Sequence, residues 1–135
     1  MERYPIAVIG SGPGGLSAAA RAAEQGVEHI LLEGSPHYAN TQHRYQKGKH
    51  VMDEPTVLPL RAAVDFAAGT RESILEQWYA DAERLGVNAR FEASVSDVSG
   101  KRGKFKITLA DGDTVQADNV VLAIGMQGNL RKLGR

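Results

Sequence analysis

The chain has 135 residues, about one domain's worth, with 42% hydrophobic and 24% charged residues, ordinary values for a globular protein. Its 16 basic and 16 acidic residues cancel, so no long-range field favours nucleic acid or an anionic membrane. There are no cysteines, which excludes disulfide staples, thiolate metal sites and dithiol chemistry carried by this chain itself. No run reaches the roughly 18 apolar residues of a membrane span. The first nine residues pass from one arginine and a short apolar stretch straight into glycines, which reads as a mature strand and not a signal peptide. A cytoplasmic location is expected.

Ile6-Ala7-Val8-Ile9 is a continuous apolar run, suited to a strand covered on both faces. Gly10-Ser11-Gly12-Pro13-Gly14-Gly15 follows. An alanine-rich helix then runs from Leu16 to Gln25, with Leu16, Ala19, Ala20 and Ala23 on one face. Pro13 suits the first helical turn and Gly26 the stop. His29 to Leu32 is a second buried strand, closed by Glu33. Residues 34–69, with Pro36, Pro55, Pro59 and a basic middle, read as largely irregular, with room for a short helix from Pro59 to Phe66. Thr70 caps a helix to Leu85, which presents Leu75, Trp78, Ala82 and Leu85 on one face and stops at Gly86. Ala89–Ala93 is a third strand. A β-rich stretch follows: Ser94–Val98, a turn at 100–103, Phe105–Leu109, an Asp111-Gly112 turn, and Thr114–Ala117. Val120 to Gly125 reads as a last buried strand, and 126–135 as a polar linker.

The glycine spacing carries the chemistry. Gly10, Gly12 and Gly15 form G-x-G-x-x-G between a strand and a helix. Gly10 permits the turn out of the strand, Gly12 lets a pyrophosphate approach the backbone, and Gly15 lets the helix pack on the strand. The helix N-terminus adds N–H groups and partial positive charge. Glu33, 18 residues after Gly15, can accept hydrogen bonds from ribose hydroxyls. It would repel a 2′-phosphate, which disfavours NADP and leaves NAD and FAD open.

The order of elements, with a hairpin-rich stretch where a helical crossover would stand, resembles the pyridine nucleotide-disulfide oxidoreductase superfamily, thioredoxin reductase among its members. The segment Ala117 to Gly125 resembles that family's second conserved stretch, with Ile124 in place of its usual threonine. The resemblance covers about residues 4–130. It implies an α/β, Rossmann-like FAD-binding domain: a parallel sheet plus a three-stranded antiparallel β-meander, incomplete relative to the family. Residues 1–125 would be the FAD-binding segment and 126–135 a linker toward a nicotinamide-binding domain. The implied FAD contacts are Gly10, Gly12, Gly15, Glu33 and Gly125, with Ser11, Pro13, Gly14 and Gly34 beside them and Val95 near the adenine. The family's later Gly-Asp, second glycine motif and redox cysteines have no counterpart here, so a fragment of a longer oxidoreductase is expected. That longer protein would use NAD(P)H and is compatible with a homodimer. The isolated chain should not turn over. A stand-alone NAD- or ADP-binding module without catalysis is the other reading.

No side chain is assigned as a catalyst. In the segment after Glu33, Thr41 and Lys49 are the candidates to border a flavin, set against a plain solvated loop. His29, His37, His43 and His50 lack the i, i+4 spacing of a metal site, and His29 reads as structural. Arg44, Lys47 and Lys49 beside Tyr45 belong to no nucleic-acid module, so no nucleic-acid partner is expected.

Overall fold

A computed structural model of the chain describes residues 2–51, 63–64 and 68–125. Strand β1 (Glu2–Ile9) leads through the glycine loop into helix α1 (Pro13–Glu24), and β2 (His29–Leu32) follows. A four-residue helix α2 (Asn40–His43) and two short strands, β3 (His50–Val51) and β4 (Gly69–Thr70), precede helix α3 (Arg71–Leu85). Then come β5 (Ala89–Arg90), β6 (Val95–Lys101), β7 (Lys104–Leu109) and β8 (Thr114–Leu122). The main sheet runs β5-β2-β1-β8-β7-β6. β5, β2, β1 and β8 are mutually parallel, while β8, β7 and β6 form an antiparallel meander.

The ends of the helices follow from their sequences. Pro13 opens α1 after an extended Gly12, as a residue without an N–H can. The Thr70 hydroxyl accepts from the Ser73 backbone N–H at the start of α3, and Gly86, at φ 82°, turns the chain at its end.

Two apolar clusters sit on the two faces of the parallel strands. Val8 and Leu31 meet Leu16, Ala19 and Ala20 of α1 and Ile74, Leu75, Trp78 and Ala82 of α3. Their chain neighbours Ala7, Ile30 and Leu32 point the other way, as a two-residue repeat requires, and join Ile107, Leu109, Val115 and Ala117 of the meander.

The structure corrects several expectations. The third meander strand and the last apolar strand are one element, β8, which pairs with β1 from Glu2↔Val115 to Ile9↔Leu122. That long pairing also extends β1 back to Glu2. Val120 to Gly125 is not buried: Val121 and Ile124 are 37% exposed and Leu122 58%. β7 reaches only to Ala117 along β8, and the Gly103 N–H bonds to the Asp118 carbonyl (2.9 Å) just past it; among the described residues no strand lies beside the outer edge of β8 beyond that point. The third parallel strand stops at Arg90, because Glu92 takes a left-handed conformation at φ 54°. The 100–103 turn tightens to Arg102-Gly103, and the preceding strand starts at Val95 and runs to Lys101. Within α1, Ala22 is buried and Ala23 only partly. Ala63 and Val64 are not helical, and the rest of the short helix expected over 59–66 lies outside the described residues, as does the linker 126–135.

Among the described residues no helix is long and apolar enough to cross a membrane.

Candidate functional site

The parallel strands β1, β2, β5 and β8 all end on one edge, and their exits crowd together there. From β1 the chain turns to β2 on one side and later returns as β8 on the other. The carboxyl ends of β1 and β8 therefore flank the point where a ligand crevice forms in open α/β sheets. Gly10 leaves β1 at φ 100°, its N–H bonded to the Leu32 carbonyl (2.9 Å). A Cβ on Gly10 would overlap the Ala123 carbonyl oxygen, and one on Gly15 the Gly10 carbonyl oxygen. These two glycines are required by the fold itself.

Gly12 differs. Its φ of −68° suits any residue, and a Cβ there would meet nothing within 4 Å among the described residues. The same open space faces Gly14. The helix behind them carries no side-chain cap, so its first-turn N–H groups point toward the opening with the positive end of the helix dipole. An unfilled backbone cradle at an uncapped helix N-terminus fits an anionic group such as a pyrophosphate.

Glu33 closes β2 and is 9% exposed. Its Oε1 accepts from the Ser11 backbone N–H (3.0 Å) and from the Ser11 hydroxyl, and its Oε2 accepts from the Ser35 backbone N–H (2.8 Å). Ser11 in turn takes the Ala39 N–H on both its carbonyl oxygen (3.0 Å) and its Oγ (3.1 Å). Ala39 is fully buried and left-handed at φ 51°, a conformation that costs a non-glycine residue about 1 kcal/mol or more. Gly34 lies against Ser94: a Cβ there would sit 2.8 Å from the Ser94 Oγ. Because the Ala93 N–H bonds to the Glu33 carbonyl (2.8 Å), Val95 is carried to the same corner as Glu33 and Gly34. Gly125, at φ 56° and exposed, lies just past Ala123, which abuts Gly10.

The two loop candidates fare differently. Thr41 is exposed on α2, two residues beyond the Ala39 that Ser11 holds. Lys49 belongs to another contact: its Nζ lies 4.5 Å from the centre of the Tyr45 ring, and its carbonyl accepts from the Arg71 N–H (2.8 Å). The Arg71 guanidinium also donates to the His43 carbonyl through Nε (3.1 Å) and Nη2 (2.9 Å). The segment is thereby tied to the start of α3. The His37 and His43 rings stack at 3.5 Å, and a His37 nitrogen is 2.8 Å from Asn40 Oδ1. Burial first, then the His37 ring and the Arg71 charge, hold the His43 imidazole below its ordinary pKa. Burial raises the Tyr38 and Tyr79 phenols, and the Tyr79 hydroxyl accepts from the Tyr38 N–H (2.8 Å). His29 is structural: its Nε2 accepts from the Asn88 N–H (3.0 Å), which leaves Nδ1 to donate to the Val27 carbonyl (2.9 Å).

Sequence reasoning named Ser11 only as part of the loop and missed Gln42, whose buried Oε1 has no hydrogen-bond partner among the described residues. A hydroxyl between the first two glycines, opposite an acid closing the next strand, was the readable signal for the former. Nothing in the sequence marks the latter.

The profile of the pyridine nucleotide-disulphide oxidoreductase family matches residues 7–134, nearly the whole chain. The chain belongs to this family. Its fold is similar to that of several solved structures. Bacillithiol disulfide reductase from Staphylococcus aureus superposes with a TM-score of 0.78 at 20% identity, over 93% of this chain and 39% of that one. A flavin-containing monooxygenase from Stenotrophomonas maltophilia gives 0.73 at 19%, over 91% and 38%. A ferredoxin-flavin thioredoxin reductase from Clostridium acetobutylicum gives 0.73 at 23%, over 97% and 40%. The chain thus spans about two-fifths of the length of these solved structures. No curated protein sequence matches it.

Proposed function

We propose that this chain is the FAD-binding portion of an NAD(P)H-dependent flavin oxidoreductase. The observation that carries the reading is the open cradle at Gly12, set between the packed glycines Gly10 and Gly15 at the carboxyl edge of a parallel sheet. Bound there, FAD would supply the redox centre, taking a hydride from a nicotinamide held by a further domain. The chain's own residues bind and orient. The backbone of Gly12, Pro13, Gly14 and Gly15 would receive the pyrophosphate, on a turn shaped by Gly10 and Ser11, whose own N–H groups are bonded to Leu32 and Glu33. Glu33, beside Gly34, would accept from the adenosine ribose. Val95 would border the adenine, and Gly125 and Thr41 the path toward the flavin. Lys49 is the least supported, because its ammonium is engaged with Tyr45. On this reading residues 1–125 form the cofactor segment and 126–135 lead onward. A cytoplasmic location and a homodimer of the longer protein go with it, and the chain alone turns over no NAD(P)H.

One feature supports the second reading, a non-catalytic NAD- or ADP-binding module. The tightest geometry, from Gly10 to Gly15 and at Glu33, belongs to the ADP half that FAD and NAD share. Titration with FAD, NAD and ADP, followed by calorimetry and flavin fluorescence, separates the two. Tighter binding of FAD than of NAD supports the flavoprotein reading. Equal binding of NAD or ADP supports the module.

A further inference from the structure

Glu33 has little freedom left. A carboxylate offers about four acceptor sites, two on each oxygen. The Ser11 N–H and the Ser11 hydroxyl use both sites on Oε1, and the Ser35 N–H uses one on Oε2. The hydroxyl is itself fixed, because its oxygen accepts from the N–H of Ala39, and Ser11 is 1% exposed. The carboxylate cannot turn without breaking this set, and each broken bond to a charged group is costly. A simple acid at the end of β2 would have presented both oxygens to a sugar.

We propose that Ser11 is a positioning residue that saturates Glu33 Oε1 and leaves a single acceptor on Oε2, so that the site grips one ribose hydroxyl of its adenine dinucleotide and not two. This rests on the dinucleotide reading above. The hydroxyl also ties Glu33 to the strained turn at Ala39, so the ribose acceptor and the start of α2 are set by one side chain.

The test uses the whole chain and three probes: ADP, 2′-deoxy-ADP and 3′-deoxy-ADP, titrated by calorimetry. One deoxy analogue should bind within about twofold of ADP and the other about tenfold more weakly, the effect of losing one hydrogen bond to a charged acceptor. In Ser11→Ala, Oε1 regains an acceptor site and the carboxylate can turn, so the difference between the analogues should shrink to less than about threefold. Equal weakening of both analogues in the unmodified chain overturns the proposal. So does an unchanged difference in Ser11→Ala. If Ser11→Ala fails to fold, the unmodified chain alone still decides. If ADP binds and both analogues match it, the nucleotide site stands and the Ser11 assignment falls. If none of the three binds, the nucleotide reading itself falls and takes this proposal with it.

Discussion

Gly15 lies so close over Gly10 that a single added carbon on the helix would overlap the Gly10 carbonyl oxygen. The contact joins the first turn of α1 to the end of β1, and it needs no ligand. Gly12, three residues earlier, has open space where its side chain would be. Identical residues in one motif therefore do different work. Gly15→Ala should lower stability by about 3 kcal/mol through overpacking. Gly12→Ala should cost less than about 1 kcal/mol, the difference between glycine and alanine as a cap. Denaturant melts of the two variants check this, and equal losses would contradict it.

The start of α3 depends on one hydroxyl. Thr70 Oγ1 accepts from the Ser73 N–H, and Thr70→Ala should cost about 1 kcal/mol. Thr70→Ser should keep most of it. Thermal melts of both variants test the cap without touching the crevice.

The His37–His43 stack should make stability fall in mild acid. Folding holds the His43 imidazole below its ordinary value of 6.5, through burial first, then His37 and Arg71. The unfolded chain thus binds a proton that the folded chain refuses. The stacking contribution is fully present above 6.5 and is lost as pH falls through 6.5 toward the folded-state value. Melting temperatures from pH 8 to pH 5 should drop more for the unmodified chain than for His43→Phe, which keeps a ring without a charge. Superimposable curves would contradict this.

The outer edge of β8 beyond Asp118 carries exposed Val121 and Leu122 with no strand beside it among the described residues. Open apolar edges pair with one another. The mass measured by light scattering should rise with concentration, and Leu122→Lys should suppress that rise, since an edge charge opposes pairing. A constant monomer mass for both would contradict it.

The first third of the fold was legible because its signals are local. An apolar run, three glycines, an alanine-rich stripe and an acid at the next strand end leave little choice of architecture. The meander was legible from its turn residues, but the fusion of its third strand with the last parallel strand was not. Asp118 and Asn119 interrupt the apolar pattern, and only the register against β1 makes β8 continuous. The exposure of Val121 and Leu122 was hidden for a related reason, because an apolar run signals a covered strand whether or not the cover is present. α2 and the β3–β4 pair owe their existence to distant bonds, such as Ala39 to Ser11 and Arg71 to Lys49, which no window of sequence contains. At the site, the glycines and Glu33 were readable from spacing. That Ser11 occupies half of Glu33 was not, because it depends on β1 and β2 lying side by side.

The most direct test of the account is the FAD affinity of the unmodified chain against Gly12→Val, with melting temperatures measured on the same samples. FAD should bind the unmodified chain, and the valine should reduce binding by about a hundredfold or more as its side chain fills the pyrophosphate cradle, while melting barely changes. Undiminished FAD binding by a folded Gly12→Val would contradict it.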